Sequence, residues 1–242
     1  MRIAPVAKGI YRVRLAWGNA YLLKTGDRAA LIDTGLSQDR AELLAALEEV
    51  GGGPDRLEAI YLTHGHCDHA GNAAWLAQQG AQVLAHQAET PYLGLPRRAY
   101  IPRGWRRLAR PHTALLFAAA ERLYPVERRE PERTIAEGDV LDAPGGTLRV
   151  VHCPGHTPGH IAFWREQDRV LFSGDAIMNI IPFRRITALS LPIRALSDDW
   201  KQCKASARRL AELCPDVLLA GHGRPLTEET AARLTGWART LG

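Results

Sequence analysis

The most constraining feature of this 242-residue chain is the stretch T-H-G-H-C-D-H-A-G, Thr63 to Gly71, which directly follows the apolar run Leu57–Leu62. That run has the length and composition of a buried strand. His64, His66, Asp68 and His69 therefore leave one strand end together, with Gly65 in the loop between them. Neutral imidazoles and a carboxylate are donors that suit zinc, and also iron, manganese or nickel. Four such groups within six positions are more than one four-coordinate ion easily takes from a single tight turn. A second ion is implied, and the missing ligands must arrive from distant parts of the chain.

Candidates with the same placement recur. His156 lies beyond the strand Leu148–His152, in H-C-P-G-H-T-P-G-H. Asp175 follows Val170–Phe172 in L-F-S-G-D, and His222 follows Val217–Ala220 in A-G-H-G-R-P. Each stands beside glycines that let the backbone crowd a compact centre. Taken singly, Asp175 reads as well as a turn cap and His222 as well as an exposed loop residue. Their joint placement after strands favours one shared centre.

Further strands are expected at Ile10–Leu15, Ala20–Lys24, Ala29–Ile32, Gln82–Ala85, Val140–Leu141 and Ile161–Trp164. Helical spacing marks Gln38–Val50, Gly71–Gln79, Leu196–Leu213 and the segment from Thr227 onward. Strands fall in runs within two similar halves, an α+β pattern of sheets covered by helices in one domain spanning 1–242.

The segment Gln87–Arg133 breaks this pattern and reads as an insertion over the domain. Six arginines between Arg97 and Arg110 are interleaved there with Tyr100 and Trp105. Tyr100, Arg103, Trp105 and Arg106 are candidates for a lid that grips an anionic or acyl substrate. A solvated arginine-rich face is the plainer alternative, and contact with nucleic acid is the least favoured. The apolar helix expected at about Ala114–Leu123 would cover the pocket or form a homodimer interface.

Composition adds exclusions. With 46% hydrophobic and 24% charged residues, the chain is neither disordered nor fibrous. The four cysteines lack C-x-x-C spacing, which argues against a disulfide framework. The first residues carry no apolar core of a signal peptide, and no run reaches the ~18 apolar residues of a membrane span. A soluble, cytoplasmic protein is expected.

The ordered set H-x-H-x-D-H, G-H-T-P-G-H, S-G-D and G-H-G resembles the metallo-β-lactamase superfamily over essentially the whole chain outside 87–133. The resemblance implies a four-layer αβ/βα sandwich, two mixed sheets flanked by helices, with metals at one edge. By matching position, His64, His66 and His156 would hold one metal, and Asp68, His69 and His222 the other, with Asp175 bridging. Asp33, in I-D-T-G, resembles the family's early aspartate that orients ligating imidazoles. His160 would support or pack against the ligands. The implied cofactors are two divalent ions, zinc first, with iron or manganese also compatible. A water between them would ionise near neutral pH and act as nucleophile, with Asp68 helping to orient it.

Departures from subfamilies narrow the reading. True β-lactamases of this superfamily lack the aspartate that Asp175 supplies, and the flavodiiron group has glutamate where His66 stands. Glyoxalase-II-type thioesterases usually add a helical extension, whereas 20 residues follow His222 here. Quorum-quenching lactonases commonly place tyrosine where this chain has Met178. The expected activity is hydrolysis of an ester, lactone or thioester of a small molecule. The alternatives are a phosphodiesterase acting on nucleic acid and a mononuclear-iron oxygenase of the persulfide dioxygenase type, which would use His64, His156 and Asp175.

Overall fold

Alternation along the strands decides the layering. In β3 (Asn19–Thr25) and β4 (Arg28–Ile32), Leu22 and Leu31 face one way while Tyr21, Leu23, Ala30 and Ile32 face the other. Both faces are apolar, so both must be covered. The computed structural model describes residues 3–90, 93, 127, 129–182, 184 and 186–242.

The first sheet runs β1 (Ile3–Ala7), β2 (Ile10–Arg14), β3, β4, β5 (Leu57–Tyr61), β6 (Gln82–His86) and β7 (Arg133–Ile135), in that spatial order. It is antiparallel from β1 to β4 and parallel from β4 to β7. The second sheet is ordered β12 (Val217–Ala220), β11 (Val170–Gly174), β10 (Ile161–Arg165), β9 (Gly146–His152), β8 (Val140–Ala143). Its β11–β12 pair is parallel and the other pairs are antiparallel. Both sheets are mixed.

Between them, Tyr21, Leu23 and Ile32 meet Leu148, Val150, Phe163, Phe172 and Leu219. Tyr21 meets Phe172 edge-on, with ring centroids 5.5 Å apart. The outer face of the first sheet, Leu22, Leu31, Ile60 and Val83, is covered by α1 (Arg40–Ala46) and α3 (Ala73–Gln78) through Leu43, Ala73 and Leu76. The outer face of the second, Ala162, Trp164, Leu171 and Leu218, is covered by α4 (Trp200–Ala211) and α5 (Thr230–Arg239) through Ala207, Leu210 and Leu234. The four layers are helix, sheet, sheet, helix. This is the four-layer sandwich of two mixed sheets flanked by helices that the motifs led us to expect.

The element boundaries differ in instructive places. The single helix expected at Gln38–Val50 is a 3-10 turn (Ser37–Asp39), α1 and a π turn (Leu47–Gly51), closed by Gly52 at φ 85°. The helix expected at Gly71–Gln79 is two pieces, α2 (Cys67–Ala70) and α3. They part at Asn72, whose Nδ2 donates to the carbonyls of Thr34 and Leu36 and ties the turn to the β4 loop. Strands β1 and β7 do not stand out in the sequence, and β7 puts Arg133, the last residue of the expected insertion, into the first sheet with Thr134 and Ile135. The lid candidates Tyr100, Arg103, Trp105 and Arg106 and the helix expected at Ala114–Leu123 lie outside the described residues. None of the four cysteines is joined in a disulfide. Among the described residues no helix is long and apolar enough to cross a membrane.

Candidate metal centre

Strand direction brings the motifs together. β4 and β5 run parallel in one sheet, and β9, β11 and β12 share one direction in the other. Their C-terminal ends meet at one edge of the sandwich, carrying Asp33, the His64–His69 loop, His156, Asp175 and His222. His64 and His69 are fully buried, and His156 and Asp175 nearly so. His66, Asp68 and His222 sit half-buried toward the opening.

Three overlapping sets could each hold a metal ion: His64, His66 and His156; His64, His69 and Asp175; and Asp68, His69 and His222. Within each set the ligand atoms lie within 4.8 Å of one another. His64 Nε2 faces His66 Nδ1 at 3.0 Å. The Asp175 carboxylate lies among both groups: Oδ1 is 3.3 Å from His69 Nε2, and Oδ2 is 3.5 Å from His156 Nε2 and 3.4 Å from His222 Nε2. Asp68 Oδ2 is 3.4 Å from His222 Nε2.

The far side of each ring explains why these nitrogens point inward. Thr63 Oγ1 donates to Asp33 Oδ2 (2.8 Å), so it accepts from His64 Nδ1 at 3.1 Å. Ser197 Oγ donates to the Ile193 carbonyl, so it accepts from His156 Nδ1 at 3.3 Å. His69 Nδ1 donates to Asp33 Oδ2 (2.8 Å), and His222 Nδ1 to the Trp17 carbonyl (2.7 Å). Four imidazoles thus carry their proton on Nδ1 and present Nε2 to the centre, the arrangement that supporting hydrogen bonds impose on metal-ligating histidine.

The donor chemistry also fits a cation. Buried His156 Nε2 and Asp175 Oδ1 have no hydrogen-bond partner among the described residues. Such lone pairs are costly to bury unless something electropositive meets them.

Electrostatics divides the cluster. Burial, reinforced by neighbouring imidazoles, pushes His64 and His156 well below the ordinary histidine range. Burial opposes charge at His69 and His222 too, but there carboxylates prevail. Asp175, Asp33 and Asp68 hold His69 well above its usual range, and Asp175 and Asp68 push His222 up to about 10. In return, although burial works against ionisation, His222 and His69 keep Asp175 far below the usual carboxylate range.

Several groups were not legible in the sequence. Asn19 Nδ2 donates to the carbonyls of Ala220 and Gly223, which brackets His222, and Arg12 donates to Asn19 Oδ1 and to the Gly223 carbonyl. Gly221 is tighter still: a Cβ there would lie 2.5 Å from Asp175 Oδ1 and 2.7 Å from His69 Cε1. His160, which the sequence already suggested as a supporting or packing histidine, accepts the Asp175 main-chain N–H at Nε2 (3.0 Å), and its Nδ1 faces Cys153 Sγ at 3.1 Å. Burial pushes its pKa down to about 3, so it is neutral and able to accept.

A four-layer sandwich with a buried cluster of imidazoles and carboxylates at one edge defines a metal-binding hydrolase. The chain belongs to the metallo-beta-lactamase superfamily, whose family model matches residues 17–222. It is 29% identical to the probable metallo-hydrolase YflN of Bacillus subtilis over 236 residues, covering 91% of this chain and 86% of that one. It is 31% identical to the acyl-coenzyme A thioesterase MBLAC2 of Gallus gallus, covering 95% of this chain and 83% of that protein. Among solved structures, a metallo-beta-lactamase family protein of Thermus thermophilus superposes with a TM-score of 0.73 at 27% identity, covering 98% of this chain and 80% of that one.

Proposed function

We propose that the chain is a cytoplasmic binuclear metallo-hydrolase that cleaves an ester, lactone or thioester of a small molecule. His64, His66 and His156 would bind one divalent ion and Asp68, His69 and His222 the second. Zinc is the first candidate for both ions. The observation that carries this reading is the Asp175 carboxylate, which lies between the two groups, 3.3 Å from His69 Nε2 and 3.4 Å from His222 Nε2. A single-metal oxygenase would leave Asp68, His69 and His222 without a purpose, although they too form a ligand-competent set.

When bound, two such cations supply an acidified water as nucleophile and polarise the scissile carbonyl. The protein's own contribution is orientation. Asp33 and Ser197 orient the rings of His64, His69 and His156, and Asp68, at the open side, would accept a proton from the attacking water. The thioester option is supported by the likeness to a thioesterase over nearly the full chain.

The test is metal content of the purified protein followed by turnover of lactones, thioesters, aryl esters and bis-p-nitrophenyl phosphate. Two equivalents of metal and hydrolysis of a carbonyl substrate are expected. One equivalent of iron with oxygen consumption on a persulfide, or hydrolysis of the phosphodiester alone, would replace the proposal.

A further inference from the structure

Glu89 is a carboxylate for which the hydrolytic reading has no use. It ends the 3-10 turn Gln87–Glu89 just past β6 and is 1% exposed. Its two oxygens are spoken for: Oε2 accepts the Gly65 N–H at 2.7 Å and Oε1 accepts the Gly159 N–H at 2.8 Å. Gly65 stands between His64 and His66, and Gly159 lies just beyond His156. One of these loops follows β5 of the first sheet and the other follows β9 of the second. The same carboxylate therefore spans the join between the two sheets beneath one ligand group.

The fit leaves no slack. A Cβ on Gly159 would lie 2.8 Å from the Glu89 main-chain nitrogen, Cγ and Oε1. Burial pushes the Glu89 carboxyl up to about 7, so this position is held at an electrostatic cost. Two main-chain bonds and the neighbouring Thr157 side chain are weak compensation for a desolvated carboxyl. A group retained on such terms is better explained by the geometry it imposes than by stability. Glu89 belongs to none of the ligand-competent sets among the described residues, so it is not itself a ligand.

We propose that Glu89 is a positioning residue that sets the distance of His156 from His64 and His66 by holding the main-chain amides of Gly65 and Gly159 on one carboxylate. This rests on the proposed metal site. Without the strut, the two loops would keep their own side-chain anchors, Thr63 and Ser197, but lose their mutual register.

The test is Glu89→Gln in the full chain, loaded with cobalt beside the parent protein and His66→Ala. Glutamine keeps the volume but offers one acceptor oxygen, so one of the two amides must face an NH2 group. We expect Glu89→Gln to retain its far-UV circular dichroism, to lose cobalt to a chelator about tenfold or more readily, in line with the effect of supporting groups on metal affinity, and to show a shifted cobalt d–d spectrum. Parental retention and spectrum in a folded variant would overturn the role. If Glu89→Gln does not fold, Glu89→Asp is read by the same two measurements, since it can reach only one loop. Failure of both to fold with metal present would make Glu89 a folding residue and overturn the proposal. A parent that binds no cobalt would remove the metal site and this inference together. A parent with two cobalt ions beside an indistinguishable Glu89→Gln would remove the inference alone.

Discussion

The two ligand groups share an edge and a carboxylate, yet they are built on opposite electrostatic plans. His64, His66 and His156 form an all-imidazole pocket, in which burial holds His64 and His156 below their usual range. His69 and His222 are wrapped by Asp33, Asp68 and Asp175, which hold them above it. The lesson is that the same side chain can be a ready ligand or a proton-occupied one, according to whether neighbouring carboxylates outweigh burial around it. In the first group, burial already keeps His64 and His156 unprotonated. The second must release protons first.

Asp175 is the place where the two plans meet, so its loss should be largest. Asp175→Ala is expected to lower metal content at both groups and cut turnover by at least about 10²–10³-fold. His66→Ala should spare the Asp68, His69 and His222 group and leave about one equivalent bound. Metal analysis of the two variants side by side checks this. Equal residual metal would erase the distinction between shared and private ligands.

Asp33 comes next, because its Oδ2 serves His69 directly and His64 through Thr63. Asp33→Asn should weaken metal retention about 10–100-fold at both groups. Ser197 serves only His156, so Ser197→Ala should cost about tenfold, confined to the all-imidazole group. Chelator competition on each variant reads both effects, and a Ser197 effect as large as that of Asp33 would contradict the wiring described.

The finest test is pH. His222, raised to about 10, and His69 are protonated at pH 7 in the metal-free protein, and binding expels those protons. Affinity at that group should rise with pH by about tenfold per unit for each proton released, up to about pH 10. His64 and His156 are already neutral above about pH 6.5, so these two imidazoles should add little pH dependence to binding at their group. Calorimetric cobalt titrations in buffers of different ionisation heat count the protons. Identical counts for both equivalents would break the comparison.

The placement of the candidate ligands was legible because it depends on residue type at a strand end. His64 after β5, Asp175 after β11 and His222 after β12 sit where the motifs put them. What it concealed were roles defined by main-chain geometry. Trp17 contributes a carbonyl, which any residue could offer. Ser197 matters because its own proton is committed to Ile193. Glu89 is one of 26 acidic residues until the fold sets two glycine amides before it. Strand β7 was missed because Arg133-Thr134-Ile135 is three residues long and mostly exposed, too little for alternation to register.

Gly221 has a consequence for how such a chain can diversify. With the space of a Cβ already filled by Asp175 Oδ1 and His69 Cε1, even alanine would evict a ligand. Lineages of this protein can change residues outside the ligand-competent sets to reach new substrates. They cannot pass through any other residue at Gly221 without first giving up the chemistry, so this position is a bottleneck on their route to new functions.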